Sequence, residues 1–344
     1  MDEEIIMIGE ATARIMADLA DPQTANAPDY DPGPLWNALV EAGLTRAWLP
    51  EDAGGAGLGL DGGFEVLRIA GQYACPVPLA ETLLAGWALA AAGLEVPEGM
   101  LTLAPIRTRD RLDLGERVSG RARSVAYAGA AGHVVVVGAD RLALIACDGC
   151  EVTPRPTDMG DERGDMVFDA VAPVAMVELT GAGAQVQQMG AVVRACQMTG
   201  ALETALAITT EYAGEREAFG RKIGKFQAVQ QSLAQLAGEV AAALTASGSA
   251  AATLATEAHD SDAAFLEIAA AKIRCGEAVE KGAAIAHQSM GAIGWTQEHT
   301  LQRFTRRMWG WRDDFGTEAE WAVRLGSEVA NLGSQQLWPM ITTR

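Results

Sequence analysis

The chain has 344 residues, 49% of them apolar and 21% charged, and 45 acidic against 26 basic residues give a formal net charge of -19. That length suggests two or three domains of roughly 100–200 residues each, with enough apolar chain for a buried core. A field of that sign repels phosphate backbones and anionic bilayers, which excludes nucleic acid and membrane surfaces as partners.

The first residues, Met1-Asp-Glu-Glu, are acidic where a secretory signal is basic. The longest apolar stretch, Leu83–Leu94, falls well short of the roughly 20 residues that a spanning helix needs. A soluble, cytoplasmic protein is expected. Residues 1–100 form the first of three textures, Ala/Leu-rich and broken by Gly and Pro. Trp36, Leu39, Val40 and Leu44 recur at helical spacing, and a Gly-rich loop follows at Pro50–Gly57. Helical periodicity resumes from Phe64, stops by Pro76 and Pro78, and returns over Glu81–Gly93.

Over 101–184 the pattern turns to short aliphatic or β-branched runs bounded by Gly and Asp. Arg117–Ala126, His133–Gly138, Arg141–Ala146, Asp165–Ala170 and Val174–Leu179 read as strands of a small β domain. Cys147-Asp-Gly-Cys150 ends a strand run, and the histidines at 133, 259, 287 and 299 are scattered. A metal site lacks its second ligand pair, so the motif reads as a turn with two incidental thiols. Five cysteines in all give no disulfide-framework spacing.

From 185 to 344 the chain is helical again. Val192–Arg216, Gln227–Thr256 and Ser261–Gly291 carry apolar residues every three or four positions. Leu233, Leu236, Val240 and Leu244 show the stripe, as do Phe265, Ile268, Ile273 and Val279, with Cys196 and Cys275 on core faces. Long helices with short connections pack as an antiparallel bundle, which Glu318–Leu332 closes. The expected fold class is mainly α with a small middle β domain.

Two runs carry the chemical signal. Tyr212–Gln227 breaks two helices with Gly220 and Gly224 and gathers Arg216, Arg221, Lys222 and Lys225 in an acidic chain. It reads as a polar inter-helix loop or as an anion site, since helix-start amides and cations suit a pyrophosphate. The second run, Ala286–Glu298, has Gly291 and Gly294 ending a helix, followed by Arg303, Arg306, Arg307 and Arg312. Those arginines are expected to pair at the surface with Asp313, Asp314 and Glu318.

In order and spacing, Arg216-x-x-Phe219-Gly220, Phe226-Gln227, Gln288-x-x-Gly291-x-x-Gly294, Arg306 and Gly316-Thr317 resemble the acyl-CoA dehydrogenase family. The phrase Trp36…Gly43-Leu44…Leu49-Pro50-Glu51…Gly54-Gly55-x-Gly57 is similar to that family's first helical domain. The resemblance spans nearly the whole chain. It implies an N-terminal α-helical domain, a middle β domain and a C-terminal four-helix bundle, assembled as dimers or tetramers. It also implies FAD as cofactor and oxidation of an acyl-CoA thioester to 2-enoyl-CoA. A carboxylate takes the α-proton in a dry pocket, the β-hydride passes to the flavin, and hydrogen bonds hold the developing enolate.

The sequence departs from the family where the base belongs. One family position, just before Gly-Thr, holds Phe315, and the other, a Glu-Arg pair on the first long bundle helix, falls on Gly190-Ala191. Asp313, Asp314 and Glu211 are the nearby carboxylates. The family's Thr-Glu-Pro…Gly-Ser-Asp loop and Trp-x-Thr strand, which hold a chain's own flavin ring, are missing between 100 and 185.

The residues that reach a neighbouring subunit's FAD are kept. By resemblance Arg216, Gln288 and Gly291 approach its diphosphate, Phe219 its adenine or dimethylbenzene region, and Thr317 its adenosine portion. The chain is thus similar to the short, degenerate subunits of heteromeric bacterial acyl-CoA dehydrogenases that act on steroid side chains. The expected role is to complete the FAD site of a catalytic partner. A self-sufficient homodimer or homotetramer with a relocated base, Asp313 or Asp314, is the alternative, and a flavin-free scaffold or CoA-ester-binding module a third. Trp295, Trp309, Trp311, Trp321 and Trp338 are expected as core and interface anchors rather than an acyl pocket, with Trp309 and Trp311 filling the space that substrate takes in the family as the alternative.

Overall fold

A computed structural model describes residues 3–27, 29–55, 57–105, 107, 110–157, 160–258 and 261–342. Met1, Asp2 and His259 lie outside the described residues. Four helices come first: α1 Glu3–Leu19, α2 Gly33–Glu41, α3 Gly59–Gln72 and α4 Leu79–Ala91. Eight strands follow, from β1 Leu101–Pro105 to β8 Ala175–Glu178. The bundle is then built by α5 Ala182–Glu215, α6 Gln227–Thr256 and α7 Asp262–Met290. A short hairpin, β9 Glu217–Ala218 with β10 Arg221–Lys222, joins α5 to α6. Helices α8 Leu301–Asp313, α9 Glu318–Leu332 and α10 Ser334–Thr342 complete the chain.

Helix α5 is the axis. Every residue from Gln188 to Leu202 is buried, the signature of a helix enclosed on all sides rather than one lying on a surface. It starts at Ala182, ten residues before its clean periodicity at Val192, because an all-round buried helix shows no single apolar stripe. Where α3 crosses α5 the backbones nearly touch: a Cβ on Gly200 would stand 1.9 Å from the Arg68 carbonyl oxygen. A Cβ on Gly71 would lie 2.2 Å from that of Gln197. Only glycine permits that approach.

The strands form two four-stranded sheets, ordered β1-β4-β5-β8 and β2-β3-β7-β6, where β2 is Arg111–Leu114, β3 Val118–Ala126, β4 His133–Val137, β5 Arg141–Ala146, β6 Glu151–Pro154 and β7 Arg163–Val171. Among the described residues only β1 and β4 pair in parallel, Leu101 opposite His133 through Pro105 opposite Val137. Val134, Val136, Ala143 and Ile145 pack between the sheets against Val118, Met166 and Phe168. The alternate residues Leu103, Val135, Val137, Leu142 and Leu144 join the helices' core. A strand covered on both faces reads as an unbroken apolar run, as His133–Val137 does. One continuous core therefore runs from Leu35 and Phe64 through Val135 to Met198, Ile268 and Phe304.

Some local expectations differ. Val40 and Leu244 face outward, while Leu35, Ala243 and Ser247 turn inward. Strands β1, β2 and β6 escape the sequence reading because two end in proline and β2 alternates with charges. Helix α3 stops at Gln72, before either proline, where Ala74 takes a positive φ of 46°.

Gly200→Ala is expected to push α3 off α5 and cost about 1–3 kcal/mol, the usual range for overpacking. Urea denaturation of wild type and variant measures the loss.

Candidate functional site

The connection between α8 and α9 is held from four sides. Lys272, fully buried on α7, donates from Nζ to the carbonyls of Trp311 at 3.0 Å, Arg312 at 2.9 Å and Asp314 at 2.8 Å. These acceptors include carbonyls that the end of a helix leaves unpaired. Burial pushes the Lys272 ammonium down to about 8. Thr317 caps α9: its hydroxyl accepts from the Glu320 amide at 3.2 Å, and the Glu320 carboxylate accepts from the Thr317 amide at 2.8 Å. Between them Phe315 takes a left-handed φ of 56°, and its carbonyl accepts from the Trp321 indole at 3.0 Å.

That geometry lays the Phe315 ring directly on Gly190, where a Cβ would stand 2.4 Å from ring carbons. One turn along α5, the Arg194 guanidinium lies 5.8 Å from the ring centre. The two positions that sequence reading marks for a catalytic base are thus one contact. An apolar ring fills the space beside a bare backbone.

Asp314, the neighbour of Phe315, is buried and surrounded by cations. Arg163 grips it with two bonds, 3.1 and 2.8 Å, Arg194 reaches it at 3.0 Å and Arg107 at 3.3 Å. Arg194 also holds Glu81 at 2.6 Å and Gln197 at 2.6 Å. Burial alone would raise the Asp314 carboxyl, but Arg163 and Arg194 hold it far below the usual carboxylate range. A group that binds protons so weakly makes a poor general base. Asp314, expected at the surface, is instead the centre of a buried network that joins α4, β7 and α5.

Asp313 is different. It faces a cavity of about 890 Å³ that Phe315, Gly316 and Thr317 border on one side, Gln187 on a second and Ser124 of the β domain on a third. Partial burial and the Asp314 carboxylate beside it raise its own carboxyl. The cavity is of ligand size. Glu211 is exposed and about 30 Å along α5 from Gly190 at 1.5 Å per residue.

The other sequence-marked residues form a second group. Thr199 meets Ser247 at 3.1 Å and Cys275 at 3.6 Å, and Gly282 lies against Leu202 and Leu236. Helices α5 and α7 therefore run in the same direction, and both C-termini lie at one end of the bundle. There Phe219 (φ 53°) and Gly220 (φ 79°) turn the hairpin, as a two-residue turn with both φ positive requires. The Phe219 side chain is 95% exposed. Phe226 supports it edge-on at 6.2 Å and carries the Arg221 guanidinium at 4.0 Å. The exposed Arg216 side chain makes no hydrogen bond or ion pair among the described residues. Gln288 is exposed, and Gly291 has φ 67° with open space where a Cβ would be. Arg216, Phe219, Gln288 and Gly291 thus share the bundle end, whereas Thr317 belongs with Phe315. Free guanidinium, amide and backbone beside a bare aromatic ring fit a diphosphate joined to a flat heterocycle.

Trp311 is buried, as a core anchor is expected to be, and donates to Asp161 at 2.7 Å; Trp309 stacks with His287, and neither lines the large cavity. Phe315 borders that cavity instead. Arg307 is buried on Asp161 at 2.9 Å rather than paired at the surface, and Arg303 is buried with it. Arg312 does pair with Glu318. Cys147 and Cys150 flank a one-turn helix between β5 and β6, and burial pushes the Cys147 thiol up to about 12.

The sequence profile described as "Acyl-CoA dehydrogenase, C-terminal domain" matches residues 184–318. Acyl-CoA dehydrogenase IpdE2 of Mycolicibacterium smegmatis is 30% identical over 342 residues, 96% of this chain and 100% of that protein. Acyl-CoA dehydrogenase FadE34 of Mycobacterium tuberculosis is 32% identical over 85% of this chain, which spans 41% of FadE34's length. Among solved structures, a chain of the ChsE4–ChsE5 complex from Mycobacterium tuberculosis superposes with a TM-score of 0.87 at 25% identity, covering 96% of this chain and 98% of that one.

Gly190→Ala is expected to cost about 1–3 kcal/mol in the wild-type background and less than about 1 kcal/mol beside Phe315→Ala. A double-mutant cycle from chemical denaturation reads that coupling. His287 is buried, stacked at 3.7 Å on Trp295, and burial lowers it to about 4 from 6.5. Its contribution to stability is complete above pH 6.5 and is lost as pH falls towards 4, because the unfolded state binds the proton first. Melting temperature is expected to drop over that window, and to drop less in His287→Gln.

Proposed function

Because the chain belongs to the acyl-CoA dehydrogenase family, we propose that it is the non-basic subunit of a hetero-oligomer and completes a partner's FAD site. The reaction is α,β-dehydrogenation of an acyl-CoA thioester to 2-enoyl-CoA. Bound FAD supplies the hydride acceptor once a base has taken the α-proton. The partner supplies that base. Arg216 presents its guanidinium to the diphosphate, and Gln288 and the open Gly291 backbone approach the same group. Phe219 covers a flat ring and excludes water from it. Thr317, whose hydroxyl caps α9, borders the larger cavity and would meet the adenosine portion from there.

The packing of Phe315 on Gly190 carries this reading: both family positions for the base are consumed by one apolar contact, and Asp314 beside them is neutralised. The ChsE4–ChsE5 structure supports assembly with a second, different chain of the family. Outward apolar side chains on α9 and α10, Val323 and Trp338 among them, suit subunit contacts.

One observation favours a second reading. Asp313 faces the cavity with a raised carboxyl, as a relocated base in a homo-oligomer would.

Purification of the chain alone and of its native complex separates the two. The chain alone is expected to hold little flavin and to turn over no acyl-CoA, whereas the complex is yellow and active. Stoichiometric FAD and turnover in the lone chain, abolished by Asp313→Asn, would establish the second reading instead. In the complex, Arg216→Gln is expected to weaken FAD by about 10- to 100-fold, the worth of one charge-assisted bond. Flavin absorbance after dialysis measures it.

A further inference from the structure

A second cavity, of about 640 Å³, opens between Asn26, residues 154–157 and 160–163, and one face of α8. Its wall shares only Arg155 with the larger cavity. Among the described residues, five arginines line it, at 155, 163, 303, 306 and 307, with the carboxylates Asp161 and Glu162. In a chain with a net charge of -19, such a local excess of positive charge calls for a reason.

Most of these cations are already matched. Arg155 pairs with Asp165 at 3.3 Å, Arg163 with Asp314 at 2.8 Å and Arg307 with Asp161 at 2.9 Å. Arg306 donates to Gln302 at 3.2 Å. Arg303 is not matched. It is 9% exposed, and Nη1 donates to the Ala25 carbonyl, but Nε and Nη2 have no partner among the described residues. Asp161, which also lines the cavity, is engaged by Arg307, by Trp311 at 2.7 Å and by Tyr127 at 3.3 Å. Burial and the neighbouring Arg307 lower Arg303 to about 10, so it still carries its charge at neutral pH.

A buried cation without a counter-charge is costly unless something supplies one. Arg303, Arg306 and Arg307 lie one turn apart on one face of α8. Forked donors in that arrangement match the several oxygens of a phosphate better than the two of a carboxylate. We infer that this cavity is a binding site for a phosphate group, free or carried by a small molecule such as a nucleotide, with Arg303 as its buried anchor. The site does not depend on the FAD reading, because Arg216 and Gln288 lie outside its wall.

Calorimetric titration of the full chain at low ionic strength, with inorganic phosphate and separately with adenosine 3′,5′-bisphosphate, tests the inference. Saturable binding of one phosphate group per chain is expected, weakened at least tenfold by Arg303→Met and several-fold by Arg306→Gln, and unchanged by Arg216→Gln. Tighter binding of the bisphosphate assigns the site to a nucleotide-like ligand, and equal binding assigns it to free phosphate. Should Arg303→Met fail to fold by circular dichroism, Arg306→Gln carries the test. No saturable binding, full affinity in the folded cavity variants, or a loss confined to Arg216→Gln would overturn it.

Discussion

A buried negative charge organises the junction of the three parts of this chain. Asp314 sits out of water, and that is tolerable only because Arg163 from the β domain and Arg194 from the bundle neutralise it in place. Arg194 in turn needs Glu81 from the N-terminal helices. Removing one partner from such a set leaves an uncompensated charge, at a cost of about 3–5 kcal/mol. The network therefore fixes how the N-terminal helices, the strands and the bundle meet. Lys272, drawing three carbonyls of the same turn together, leaves the next residue little freedom. Phe315 is pinned in a left-handed conformation because its neighbours on both sides are.

The placement of the Phe315 ring on Gly190 is thus a consequence of electrostatics one residue away. A phenylalanine with positive φ carries backbone strain, and here the ring recovers contact by lying on a residue without a side chain. Gly190 and Phe315 are complementary in volume, and neither has a packing rationale alone. Cleft and bundle end are joined by one helix: Gly190 and Arg216 are 26 residues apart along α5 and its cap, about 39 Å at 1.5 Å per residue. On the proposed reading, the same rigid rod carries a cleft without a base near one end and a lent site at the other.

Much of the architecture was legible because periodicity reports burial. Strands β4 and β5 and helices α6 and α7 declare themselves through apolar runs or stripes. Edge strands β2 and β6 did not, since residues that face water on an edge look like loop. The start of α5 was hidden for the opposite reason, as its enclosure erases the stripe. Individual positions slipped where a helix is rotated by a fraction of a turn: Leu35 took the inward place expected of Val40. The vacancy at the two base positions was readable, but not that Phe315 and Gly190 touch, because a contact between residues 125 apart leaves no local trace. Charge was the least legible feature. Arg163, Arg194, Arg303 and Arg307 look like surface residues in a list of letters, and all four are buried.

Exposure at the other end is the converse case. Phe219 makes no contribution to the chain's own core, since it is 95% exposed, and it holds a positive φ that asparagine or glycine would adopt more readily. Its neighbour Phe226, with Arg221 stacked on it, braces the ring from one side only. A strained, solvent-facing aromatic beside an unpaired arginine gains little from the chain's own packing. On the proposed reading its contact lies beyond the chain's own surface, with a flat, phosphate-linked ring held at a subunit boundary.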